Sequence, residues 1–106
     1  MTLEWTAAAI QNLYTLHSYL LDKNASAADE VVDTITSSVD RLRENPRMGR
    51  PGRVDGTREL VIHRTPYLIA YAVRPAAIRV LAVLHGKQRW PTAFVEDASR
   101  GTQKVN

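Results

Sequence analysis

Cysteine is missing from all 106 residues. Its absence excludes disulfide frameworks and thiolate metal sites, and it fits a reducing cytoplasm, the expected location. Long apolar runs are missing too. No stretch approaches the roughly 20 residues that a membrane-spanning helix needs, so no membrane partner is expected. The N-terminus, MTLEWTAAAIQ, has no basic leader and carries Glu4, so it does not read as a secretory signal. Equally absent are GxSxG, HExxH, the phosphate-binding loop and the dinucleotide fingerprint. His17, His63 and His85 are scattered, and without thiolates a transition-metal site would have to recruit distant carboxylates. Neither a metal nor a cofactor is expected.

What remains is an ordinary globular composition, 44% apolar and 24% charged, of a length suited to one domain. Residues 1–96 are assigned to that domain, and residues 97–106, polar and containing Gly101, to a flexible tail. The net charge of +3 conceals an asymmetry. Residues 1–45 carry three Lys/Arg against seven Asp/Glu, whereas residues 46–106 carry eleven against four. A basic second half favours a polyanionic or acidic partner over a neutral one.

Periodicity divides the chain in two. After a short strand-like Leu3-Glu4-Trp5, the residues Ile10, Leu13, Tyr14, His17, Leu20 and Leu21 recur at helical spacing, with Thr6 as the expected N-cap. A second helix is expected from a Ser26 cap, with Ala28, Val31, Val32, Ile35, Val39 and Leu42 as its apolar stripe and Pro46 as its stop. The short Asn24-Ala25 link makes the two an antiparallel hairpin. Residues 46–57, PRMGRPGRVDGT, read as a loop with no regular strand. Beyond it the period becomes two. Strands are expected at Glu59–Ile62, Tyr67–Val73 and Ile78–Leu84, joined by connections short enough to require hairpins. The predicted fold is α+β: an N-terminal helical hairpin packed on a small twisted antiparallel sheet.

Chemistry concentrates in the stretch IRVLAVLHGKQRWP, residues 78–91, where a strand delivers His85, Lys87, Arg89 and Trp90 at its end. Strand parity places His85 on one face with Arg79, Leu81 and Val83, and His63 on one face with Glu59 and Val61, opposite Arg58. Convergence of His85, Lys87 and Arg89 with the loop arginines Arg50 and Arg53 would form a cationic cluster. Such a cluster can bind phosphates, stabilise a phosphoryl transition state or hold a partner's carboxylates. Cleavage of RNA would further require a general acid and a base, for which Glu59 and His85 are the candidates, with Arg89 beside them.

The segments ENPRMGRPGR, GTRELVIHRTPYLIAYAV and IRVLAVLHGKQRWP, in this order after a helical hairpin, resemble the RelE/ParE superfamily of type II toxin–antitoxin toxins over residues 3–91. The resemblance implies the α+β fold above, a toxin that inhibits bacterial growth, and a cognate antitoxin encoded by an adjacent gene that wraps it in a hetero-oligomer. RelE-like members cleave mRNA on the ribosome; ParE-like members inhibit DNA gyrase. Ribonuclease members usually carry an arginine after the tyrosine of the second strand, where this chain has Leu68 after Tyr67, and lysines where it has Leu60, Val61 and Ile62. They often end in a catalytic tyrosine or histidine, where the nearest aromatics here are Trp90 and Phe94. The NPxMGRP segment and the VLHG ending resemble the ParE-like plasmid-stabilisation branch. Gyrase inhibition is therefore the leading expectation. A ribosome-dependent mRNA endonuclease is the alternative, and a non-toxic binding module or co-repressor the third. The residues expected to touch target or antitoxin are Arg50, Arg53, Arg58, Arg79, His85, Lys87, Arg89 and Trp90.

Overall fold

The computed structural model describes residues 1–94 and Glu96; the segment 97–106 assigned to the tail lies outside them. The chain forms β1 (Thr2–Trp5), α1 (Ala7–Lys23) and α2 (Ala25–Asp40), which runs into a 3-10 turn at Arg41–Arg43. It continues as β2 (Arg50–Pro51), β3 (Arg58–Val61), β4 (Tyr67–Val73) and β5 (Ala77–His85). The five strands form one sheet in the order β1-β5-β4-β3-β2.

The α+β fold and the antiparallel β3-β4-β5 meander agree with the sequence reading. The sheet as a whole is mixed, however, because β1 lies parallel to β5. Parallel neighbours need a long connection, and the helical hairpin between β1 and the meander supplies it. A second correction concerns the arginine-rich loop. Arg50 and Pro51 form a two-residue strand against β3, at the sheet edge, where the N–H that proline lacks is not missed.

Thr6 caps α1 as expected, its hydroxyl accepting from Ala9 N–H (3.1 Å). The same hydroxyl donates towards Val80 O (2.9 Å) and Leu81 O (3.2 Å), so the cap also ties α1 to β5. The buried line of α1 is Ala9 and Leu16, flanked by Leu13 and Leu20. Tyr14 and Leu21, expected on it, are 67% and 45% exposed. His17 Nε2 meets Asp29 Oδ1 at 2.9 Å and joins the two helices.

The cap of α2 is Asn24, not Ser26. Asn24 Oδ1 accepts from Ala27 N–H (3.2 Å), while Asn24 N–H closes α1 on Leu20 O (2.7 Å). One residue thus serves both helix ends, α2 through its side chain and α1 through its backbone N–H, and Ser26 falls inside the first turn. Replacing Asn24 by Ala is expected to lower stability by about 1 kcal/mol, read as a shift in the urea midpoint. Ser26→Ala should leave the midpoint nearly unchanged, and a larger effect from Ser26 would reverse this assignment.

The sheet has two apolar faces. Leu60, Ile62, Tyr67, Ile69, Tyr71, Ile78, Val80 and Val83 pack under the helices with Ile35, Val39 and Leu42. Ala70, Ala72, Leu81, Ala82 and Leu84 form the opposite face, covered by Trp90 and Phe94. A β-bulge redistributes β5 between the two. Ala70 pairs with Ala82 but Tyr71 pairs with Val80, so Leu81 has no partner opposite it. The alternation therefore resets there. His85 and Val83 lie on the helical side, and Arg79 and Leu81 on the other, which corrects the single face expected for all four.

Candidate functional site

Glu59 is the organising group on the side of the sheet away from the helices. It sits in β3 opposite Ala70, is 3% exposed, and needs partners for two buried carboxylate oxygens. Oε1 accepts from Arg50 Nε (3.3 Å) and Nη2 (3.1 Å). Oε2 accepts from the Arg53 backbone N–H (2.8 Å), with Arg53 Nε 3.5 Å away. The loop that begins with β2 is thereby folded over the carboxylate. The Arg53 guanidinium in turn lies 3.6 Å from the centroid of the Trp90 ring, a cation–π contact. Arg50, Arg53, Glu59 and Trp90 are thus brought together.

Arg58 points to the other side and braces the start of the same loop. Its Nε donates to Gly49 O (2.9 Å) and its Nη2 to Arg47 O (3.2 Å). Tyr71, fully buried, completes that anchor: its hydroxyl donates to Pro46 O (2.8 Å) and accepts from Gly49 N–H (2.9 Å).

After β5 the chain crosses the far face as a strap without regular structure. Trp90 and Phe94 cover the small side chains of that face. Glu96 fixes the end of the strap by ion pairs with Arg74 and, at 3.5 Å, Arg79, which also reaches Glu4 at 3.0 Å. Trp90 Nε1–H is buried without an acceptor, which makes this cover less stable than its apolar area alone would give.

His85 ends β5 in a tight turn. Its Nδ1 accepts from Lys87 N–H (3.0 Å), so the neutral ring carries its proton on Nε2. The ring meets Tyr67 edge-on, with centroids 5.6 Å apart and planes at 86°. Burial, with Tyr19 adding to it, raises the Tyr67 phenol above its ordinary pKa and keeps it a neutral hydroxyl. Lys87 and Arg89 follow on the exposed outside of the turn. Among the described residues neither makes an ion pair.

The expected convergence is therefore partial. Arg50 and Arg53 meet Trp90, but His85, Lys87 and Arg89 form a separate corner, Arg58 serves the loop, and Arg79 serves the strap. His63 lies beyond the end of β3 in the following turn. Sequence reasoning missed Tyr71 and Glu96 as anchors. The signal for Glu96 was its position as the first charged residue after two aromatics, Trp90 and Phe94. No group of His, Asp and Glu suited to a metal occurs among the described residues. No helix among them is long and apolar enough to cross a membrane.

Residues 3–90 match the family model described as the ParE toxin of the type II toxin–antitoxin system parDE. The chain belongs to the ParE toxin family. A Sinorhizobium fredii protein bearing the toxin name Y4kP is 39% identical over 89 residues, which span 84% of this chain and 92% of that protein. Toxin RelE3 of Caulobacter vibrioides is 30% identical over 83 residues, 76% of this chain and 89% of the relative. Among solved structures, one titled as the chromosomal ParDE toxin–antitoxin system from P. aeruginosa superposes with a TM-score of 0.75 at 27% identity. That match covers 80% of this chain and 95% of the other. For a ParE-family chain, the buried Glu59 cluster, the strapped sheet face and the exposed His85–Arg89 corner are the features from which a function must be argued.

Proposed function

We propose that this chain is the toxin of a type II toxin–antitoxin pair, that it arrests bacterial growth by inhibiting DNA gyrase without catalysis of its own, and that a small antitoxin encoded beside it holds it inactive. A cytoplasmic site of action goes with this reading. The observation that carries it, beyond family membership, is that the groups a ribonuclease would need are engaged elsewhere. Both Glu59 oxygens are held by Arg50 and Arg53, with the side chain 2% exposed, and His85 Nδ1 accepts a backbone N–H. A general base must reach the proton it removes, and neither group has a free basic lone pair facing solvent in this arrangement. Lys87 and Arg89, exposed beside Trp90, are the groups proposed to grip the target.

The purified chain should inhibit DNA supercoiling by gyrase, and its induction should produce filamentous cells with stalled replication. Arg89→Ala should weaken inhibition at least tenfold while leaving thermal stability unchanged, since an exposed charge with no intramolecular partner contributes little to folding. The relative named RelE3 makes the competing outcome concrete. Intact supercoiling together with mRNA cut at codon positions would replace gyrase by the ribosome as target. Induction without any growth defect would leave only a binding module or co-repressor.

A further inference from the structure

Beside the His85 turn, on the helical side of the sheet, lies a cavity of about 580 Å³ to which the proposed inhibition gives no role. It sits between α1 and the end of the sheet where β4 starts at Tyr67 and β5 stops at His85. Leu16, Leu20, Val31 and Val83 give it apolar walls. Its polar groups are all of one kind.

Asparagine and glutamine each carry an acceptor oxygen and a donor NH2, and a neutral histidine carries one acceptor and one donor. Here backbone amides occupy every acceptor. Asn12 Oδ1 accepts from Val83 N–H (3.0 Å), Gln88 Oε1 from His85 N–H (2.6 Å), and His85 Nδ1 from Lys87 N–H (3.0 Å). The ends left over are Asn12 Nδ2, Gln88 Nε2 and His85 Nε2–H, donors on three side chains that line the same cavity. Tyr67 lines it as well, and burial, with Tyr19 adding to it, keeps that phenol neutral, so its O–H is retained. Among the described residues no Asp or Glu lines the cavity.

Arg64 adds a full positive charge at the exposed rim, and it does so from a strained backbone. Its φ of 67° lies in the left-handed region, which glycine enters freely and an L side chain does not. Among the described residues its guanidinium makes no ion pair that would account for the choice. A strained side chain with no internal duty points outward, to a ligand.

We propose that this cavity binds a small organic phosphate of the nucleotide class, its phosphoryl oxygens on Asn12, Gln88, His85 and Arg64 and its base on the Tyr19 ring. A carboxylate would present two oxygens to these donors, whereas a phosphoryl group presents three. Tyr19 is 58% exposed and offers a ring for stacking, with Lys23 Nζ 5.2 Å from its centroid as a further cation. The volume lies within the range of small-molecule sites. The site stands independently of the gyrase reading.

The test titrates the whole chain with AMP, adenosine and inorganic phosphate, and follows the side-chain amide resonances of Asn12 and Gln88. AMP should bind saturably and shift both amides, with adenosine and inorganic phosphate each at least tenfold weaker. Asn12→Asp and Gln88→Glu keep the oxygen that accepts the backbone N–H and exchange the donor for a negative charge. Each should therefore leave the chain folded and weaken AMP at least tenfold. Arg64→Gly should raise the urea midpoint, because the strain is relieved, and still weaken AMP at least tenfold. No saturable binding of AMP, or inorganic phosphate bound as tightly as AMP, would overturn the proposal. So would AMP binding that leaves the two amides unshifted and the three variants equal to wild type, which would belong to exposed cations elsewhere.

Discussion

Replacing Gly49 by alanine is expected to lower the unfolding free energy by about 3 kcal/mol, through a methyl group with nowhere to go. A Cβ at this position would lie 2.6 Å from Glu59 O and 2.8 Å from both Cε1 and the hydroxyl oxygen of Tyr71. Glu59 O belongs to the strand backbone, paired with β2, and Tyr71 is fully buried under the helices, so neither wall can retreat. The loop must move instead. Moving it breaks the Gly49 N–H bond to Tyr71 (2.9 Å) and the Arg58 bond to Gly49 O (2.9 Å). It also loosens the hold of Arg50 and Arg53 on Glu59. Urea denaturation reads the loss. Tyr71→Phe provides the companion measurement: it removes the hydroxyl that serves Pro46 O and Gly49 N–H, at about 2 kcal/mol. Because that hydroxyl is also part of the clash, Gly49→Ala should cost less in the Tyr71→Phe background than alone. Strict additivity would show that the Tyr71 hydroxyl is not part of the wall, because phenylalanine keeps Cε1 in place.

Why some of this was legible in the sequence and some was not follows from the range of the interactions. Caps and periods are local. Thr6 before an apolar run, Pro46 after one, and the change from helical to alternating spacing after residue 57 led directly to the hairpin and the meander. Features decided by distant partners were missed. On α1, Ile10, Leu13, Tyr14, His17, Leu20 and Leu21 fit helical spacing as well as the line through Ala9, Leu13, Leu16 and Leu20 does. Only the position of the sheet selects the second. The bulge at Leu81 has no turn residue to announce it. It sits where Thr6, 75 residues away in sequence, binds two successive carbonyls.

Arginine was the hardest residue to read. Charge counts treat Arg50, Arg53, Arg58 and Arg79 as equal candidates with Lys87 and Arg89, yet the first four are engaged within the fold. The distinction rests on which arginines have an acid or a carbonyl within reach, a property of tertiary structure. Glu59, a candidate acid or base only if the chain is a ribonuclease, is engaged within the fold as well. A lone carboxylate in an alternating apolar strand, just after an arginine-rich loop, points first to an internal ion pair and only second to a catalyst.

Glu59 is accordingly where stability and toxicity should come apart. Glu59→Ala is expected to destabilise by about 3 kcal/mol. The carboxylate is almost wholly buried, but Arg50 and Arg53 are about half exposed, so solvent takes over part of their solvation and the cost falls at the low end for a broken buried pair. The unpaired Arg53 N–H and the released loop account for much of it. Glu59→Gln keeps an acceptor for that N–H and the volume of the side chain, and should cost about 1 kcal/mol. A strand-buried clamp and a general base predict opposite functional results for this near-isosteric change. As a clamp, Glu59→Gln should arrest growth as fully as wild type once soluble protein levels are matched, whereas loss of the proton-accepting oxygen would abolish catalysis outright. A stable, well-expressed Glu59→Gln chain that no longer arrests growth would therefore return Glu59 to the position of catalyst, and with it the ribonuclease.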